Sequence, residues 1–140
     1  MSHQCKAILI HCMDFRLIKE TTRWMIEKDY LGDCDVISLA GASKELIDGD
    51  EGASALILKQ IELAHALHGA NEVVLIHHSD CGAYKNSYNF ASAAEEEEKQ
   101  YEHILKTEGL IRSKFVEMKV TKIWAKMIDE HGEKVRFEAL

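Results

Sequence analysis

Two short apolar runs, Lys6-Ala7-Ile8-Leu9-Ile10-His11 and Val73-Val74-Leu75-Ile76, with a further strand-like segment Val36-Ile37-Ser38-Leu39-Ala40 between them, set the architecture of this chain. A strand with one wet face alternates apolar and polar residues. A strand covered on both faces does not, so such runs suit the interior of a parallel sheet. Between the first two, Leu17, Ile18, Thr21, Thr22, Met25 and Ile26 recur at helical spacing, and Leu31-Gly32-Asp33 supplies a stop. After Gly41 and a polar stretch through Gly52, the positions Leu56, Ile57, Ile61, Ala64 and Leu67 form a second helical face, with Gly69 as its C-cap. Strand and helix therefore alternate, as right-handed crossovers in a parallel sheet require.

The C-terminal third reads differently. Residues 91–115 are polar and charged, which predicts a solvated helix broken at Gly109, with Tyr101, Ile104, Leu105 and Ile111 along one face and Glu95 to Glu98 in water. Val120 to Met127 mixes β-branched and aromatic residues with lysines and suits a strand nearer the sheet edge. Glu130-His131-Gly132-Glu133 turns the chain into a short return strand, Lys134 to Phe137. The expected fold is a three-layer α/β domain whose central sheet is mostly parallel, with an antiparallel edge strand.

A chain of 140 residues with 46% hydrophobic residues is the size of one domain with a proper core, so residues 1–140 are expected to form a single unit. A net charge of -7 and the lack of any Lys/Arg cluster argue against nucleic acid as a partner. No stretch approaches the roughly 20 apolar residues of a membrane helix. Met1 to Lys6 carries neither the basic segment nor the apolar run of a secretory leader, which predicts a cytoplasmic protein. In that compartment Cys5, Cys12, Cys34 and Cys81 are thiols or metal ligands rather than disulfides.

The chemistry gathers at two strand ends. Cys12-Met13-Asp14-Phe15-Arg16 follows the first strand and His78-Ser79-Asp80-Cys81-Gly82 follows the third, in the crevice where open α/β sheets bind ligands. A lone H-x-x-C is common by chance, and a lone strand-end cysteine is more often a small hydrophobe. Together, two thiolates and an imidazole select zinc over magnesium or calcium, and three protein ligands leave a fourth position open. His11 and His77 each precede one of these residues. By strand alternation each points away from its neighbour, toward a core or supporting role. His3, His65, His68, His103 and His131 lack metal spacing and read as surface residues, while Cys5 and Cys34 read as small apolar side chains.

The order C-x-D-x-R after the first strand, A-G after the second and H-x-x-C-G-A after the third resembles the β-class carbonic anhydrases, from about Lys6 to Ala83. The resemblance implies a zinc ion on Cys12, His78 and Cys81. It also implies that Asp14 and Arg16 pair, so that the fourth zinc position opens to water when Arg16 holds Asp14 and closes when Asp14 swings onto the metal. A capping Asp14 and a surface ion pair for Arg16 are the plainer alternative. Where the family usually reads R-N-A-G, this chain reads Ser38-Leu39-Ala40-Gly41, and no helical arm precedes the first strand. The implied activity is reversible hydration of carbon dioxide to bicarbonate by a zinc-bound hydroxide, in a homodimer and with no organic cofactor. The alternatives are hydrolysis of carbonyl sulfide or carbon disulfide on the same site, or a non-catalytic zinc-binding module.

Overall fold

The computed structural model describes residues 3–140. Met1 and Ser2, where the expected domain and leader-free start begin, lie outside them. Strand β1 (Ala7–Cys12) leads through a 3-10 turn (Phe15–Leu17) into helix α1 (Ile18–Glu27) and strand β2 (Cys34–Leu39). A short helix α2 (Lys44–Asp48) precedes the long helix α3 (Glu51–His68), which returns the chain to strand β3 (Glu72–His78). Helices α4 (Gly82–Ser87) and α5 (Ala93–Lys114) follow, then strands β4 (Lys119–Met127) and β5 (Val135–Ala139).

The sheet order is β2-β1-β3-β4-β5; the first three pairings are parallel and β4 to β5 is antiparallel. The chain leaves β1 toward β2 on one side and returns to β3 on the other. The C-terminal ends of β1 and β3 thus flank the point where the winding reverses, and a crevice opens there.

Period-two alternation divides the core between the two faces of the sheet. Ile8, Ile10, Val73, Leu75 and Trp124 pack against Ile57 and Ile61 of α3 and Ile104 and Ile111 of α5. Ala7, Leu9, Val74, Ile76 and Ile123 pack against Leu17, Trp24 and Met25. Every residue of β1 is buried, as a strand covered on both sides must be. Gly69 ends α3 at a φ of 69°, a left-handed turn that a side chain resists. No helix of the described residues is long and apolar enough to cross a membrane.

Several expectations need correcting. Helix α5 runs unbroken through Gly109, because tertiary packing of Ile104 and Ile111 outweighs one glycine. Leu56, Leu67 and Leu105 are exposed rather than on the buried helix faces. His103 is buried, its Nδ1 hydrogen-bonded to the Tyr84 hydroxyl at 2.9 Å. Glu96 is also buried, although its neighbours Glu95 and Glu98 lie in water. The polar stretch before α3 is partly helical as α2, whose Lys44 is buried and ion-paired with Asp48 at 3.0 Å.

A Cβ added at Gly109 would meet nothing within 4 Å. Gly109→Ala is therefore expected to raise stability by about 0.5–1 kcal/mol, the propensity difference in an exposed helix interior. Urea unfolding measures it; a lower midpoint would show that this glycine serves packing.

Candidate metal centre

Cys12 is the last residue of β1 and His78 the last of β3. The parallel ladder between them ends at His11 opposite Ile76. Beyond that pair β1 and β3 no longer bond to each other, although Cys12 stays in register with Leu39 of β2 and His78 with Ala125 of β4. The tight loop Ser79-Asp80 then brings Cys81 back to it, with Asp80 at a positive φ of 59°. The loop is tied to the neighbouring strand: the Ser79 N–H donates to the Ala125 carbonyl at 3.1 Å, and Ser79 Oγ accepts from the Met127 N–H at 2.8 Å. As a result one donor atom from each of Cys12, His78 and Cys81 lies within 4.8 Å of the others, and all three residues are buried.

The donor set is prepared for a cation. His78 Nδ1 faces the Ser79 carbonyl at 2.7 Å, and an oxygen that can only accept requires that nitrogen to carry the proton. His78 Nε2 is left with its lone pair, buried and without a partner, which costs free energy unless something electrophilic meets it. Hydrogen bonding from Cys81, aided by the Gly41 N–H at 3.4 Å from Sγ, pulls the Cys12 thiol far below the ordinary cysteine range, against the opposing effect of burial. The same contact and burial push Cys81 up. Two sulfurs so close cannot both ionise unaided, and a divalent cation removes that conflict.

A polar scaffold behind the centre was not apparent from the sequence. Buried Glu96 accepts the Cys81 N–H at 2.8 Å and the Gln100 side-chain N–H at 2.9 Å, while Gln100 also donates to the His78 carbonyl at 2.8 Å. His77 faces the other way, with Nδ1 3.0 Å from Gln100 Oε1 and Nε2 2.8 Å from Ser43 Oγ. Since Oε1 only accepts, His77 Nδ1 donates to it and Ser43 donates to Nε2; Thr107 lies 3.0 Å behind Ser43. Burial keeps His77 neutral, with its pKa lowered to about 4. Its supporting role agrees with strand alternation. His11 is likewise buried and its pKa lowered by burial, but its Nδ1 has no partner.

Asp14 and Arg16 stand at the mouth. Arg16 grips the carboxylate through Nη2 at 2.7 Å and Nε at 3.1 Å, and reaches Asp80 Oδ2 at 2.9 Å and the Glu130 carbonyl at 3.3 Å through Nη1. Lys85 pairs with Asp80 on its far side. The Arg16 guanidinium holds Asp14 below the usual carboxylate range. Asp14 Oδ1 also accepts the Arg16 backbone N–H at 3.0 Å, so capping and ion pairing coexist in one carboxylate. Asp14 Oδ2 lies 3.9 Å from His78 Nε2, outside the tight Cys12–His78–Cys81 group. Behind Arg16, Gly132 at a φ of 76° packs on the Arg16 backbone carbonyl, where a Cβ would collide. A cavity of about 540 Å³ opens over the site, its wall including Cys12 and Asp14 beside apolar Met13, Phe15, Ala40 and Ala83.

Comparison with known proteins gives relatives in sequence and in fold. The chain is 33% identical over 122 residues to an uncharacterized protein of Rickettsia bellii (strain RML369-C), covering 84% of this chain and 74% of that one. It is equally similar to an uncharacterized protein of Rickettsia conorii (strain ATCC VR-613 / Malish 7), of which the match spans 66%. Among solved structures, a carbonic anhydrase from Glaciozyma antarctica superposes with a TM-score of 0.57 at 19% identity, over 98% of this chain and 83% of that one. The β-carbonic anhydrase CafA of Aspergillus fumigatus gives 0.54 at 14% identity, over 99% and 76%. At these identities the likeness is one of fold. Residues 2–135 match the model of the family described as "Putative carbonic anhydrase", and the chain belongs to that family.

Proposed function

We propose that this chain hydrates carbon dioxide reversibly, releasing bicarbonate and a proton, with a zinc ion held by Cys12, His78 and Cys81. The observation that carries this reading is the buried, unpartnered His78 Nε2, set between two thiols beside a carboxylate that Arg16 holds back. Soft sulfur and borderline nitrogen donors fit zinc, and three of them leave room for a reactant. Zinc so held supplies a Lewis acid that makes water a nucleophile near neutral pH.

The chain's own residues do the rest. Asp14 accepts a hydrogen bond from the attacking water and aims its lone pair at the substrate carbon. Arg16 would fix Asp14 in that posture and hold its oxygen away from an ion carried by Cys12, His78 and Cys81. Met13, Phe15, Ala40 and Ala83 offer an uncharged substrate an apolar wall. That wall also favours a second reading, hydrolysis of carbonyl sulfide or carbon disulfide. Parallel assays on the three gases separate the two.

Cys12→Ser, Cys81→Ser and His78→Ala are each expected to lose the one zinc equivalent of this centre, because neither a neutral hydroxyl nor a methyl replaces the donor. His77→Ala is expected to keep its zinc. Metal analysis of the purified variants checks both, and full retention by all three ligand variants overturns the assignment.

Arg16→Ala is expected to keep zinc and lose about 10–100-fold in hydration rate as Asp14 is freed. Asp14→Asn is expected to lose about 10²-fold or more with the open position retained. Stopped-flow hydration together with X-ray absorption reads these effects. A fully active Arg16→Ala would reduce the pair to capping and a surface ion pair.

We propose further that the protein works as a homodimer. Strand β2 is an edge of the sheet on which Val36 is 50% exposed, and its last residue, Leu39, pairs with Cys12. Sedimentation is expected to show the dimer at micromolar concentration, and a monomer there would exclude it.

A further inference from the structure

A second group of metal-ligating side chains converges at the opposite end of the sheet. One donor atom from each of Cys5, Asp35 and His68 lies within 4.8 Å of the others. The chain entering β1 is clamped between two elements there. The Cys5 N–H donates to the His68 carbonyl at 2.9 Å at the end of α3, and the Lys6 N–H donates to the Asp33 carbonyl at 3.1 Å ahead of β2. Those two bonds bring together a thiol, a carboxylate and an imidazole from three distant segments. Alternation decides which cysteine takes part: Cys5 packs with the core on the α3 side of the sheet, whereas Cys34 packs with the core on the α1 side. Asp35, one residue on, points with Cys5.

We propose that Cys5, Asp35 and His68 form a second site for a zinc-class divalent cation, with His3 as the adjoining fourth donor. The donor set offers a dication one carboxylate, one imidazole and one thiol, whose Sγ now donates to the Ala7 carbonyl at 3.4 Å and would give up its proton on binding metal. The donor types are borderline to soft, which excludes magnesium and calcium as preferred occupants. Asp35 Oδ2 sits 2.7 Å from His68 Nδ1; this contact holds the two side chains at one point, and a bound ion would replace it by taking one donor atom from each. His68 lies in the last turn of the 18-residue α3, where the backbone carbonyls end and a cation is favoured. The His3 ring stands beside it, with centroids 5.1 Å apart. All three residues are partly accessible, so an ion can enter from solvent without unfolding.

This site is separate from the Cys12 centre. The six residues of β1 lie between them, and at about 3.3 Å per residue its ends are roughly 17 Å apart. The proposal therefore does not depend on what the first centre binds.

The test is zinc stoichiometry by difference. Wild-type chain, Cys5→Ser, His68→Gln, Asp35→Asn, His3→Ala and Cys34→Ser are each equilibrated with zinc chloride at the same micromolar free concentration, and bound metal per chain is measured after confirming the fold by circular dichroism. Wild type and Cys34→Ser are expected to hold one zinc more than Cys5→Ser and His68→Gln, whatever the occupancy of the first centre. Asp35→Asn and His3→Ala are expected to weaken that equivalent roughly tenfold or more. Cobalt substitution gives a second reading, because the thiolate-to-cobalt absorption of wild type should shrink in Cys5→Ser and persist in Cys34→Ser. Equal metal in wild type, Cys5→Ser and His68→Gln overturns the site, as does equal loss in Cys34→Ser.

Discussion

The pairing of β1 between β2 and β3 is the constraint on which the rest of the molecule depends. Its six residues are buried on both faces, so neither strand neighbour can slip by one position without driving apolar side chains into the wrong core. That fixed register determines where the β1–β3 ladder stops, and hence where Cys12, still paired with Leu39, and His78, still paired with Ala125, stand at the strand ends. At the other end of the same strand it sets Cys5 beside Asp35 and His68. Chemistry gathers at both ends of the most rigid element because only there does the backbone combine a fixed position with freedom to aim a side chain.

Around the Cys12 centre, polar groups serve position more than charge. Glu96 and Gln100 spend their hydrogen bonds on the backbone of Cys81 and His78. Buried polar groups like these are costly when incomplete and rigidifying when satisfied. Helix α5, which reads as a solvated element, is thereby built into the site through its first two turns. The arrangement gives the two sulfurs and the imidazole little freedom to relax.

Much of this was legible in the chain itself. The buried strands announce themselves as unbroken apolar runs, and Cys12, His78 and Cys81 stand at the ends of such runs in a spacing that implies convergence. The supporting residues carry no comparable signal. Glu96 is one of four consecutive glutamates, and only the helix's rotation about its axis decides which one turns inward. His103 sits in a charged helix, and nothing local reveals that Tyr84 waits opposite it. Cys5, Asp35 and His68 are about 30 residues apart at each step, so their meeting follows from sheet topology and not from any motif. Gly109 misled because helix propensity is a weak local preference that tertiary burial overrides.

The turn before β5 has a wider meaning. Gly132 packs on the backbone of Arg16, and the Glu130 carbonyl receives its guanidinium, across 114 positions of sequence. The last hairpin is therefore a brace for a residue near the first. Changes in that turn's length or composition would alter the posture of Arg16, and through it Asp14, without touching either residue. A surface loop that would ordinarily tolerate insertion thus becomes a remote adjustment of the site, available to evolution and to protein engineering alike.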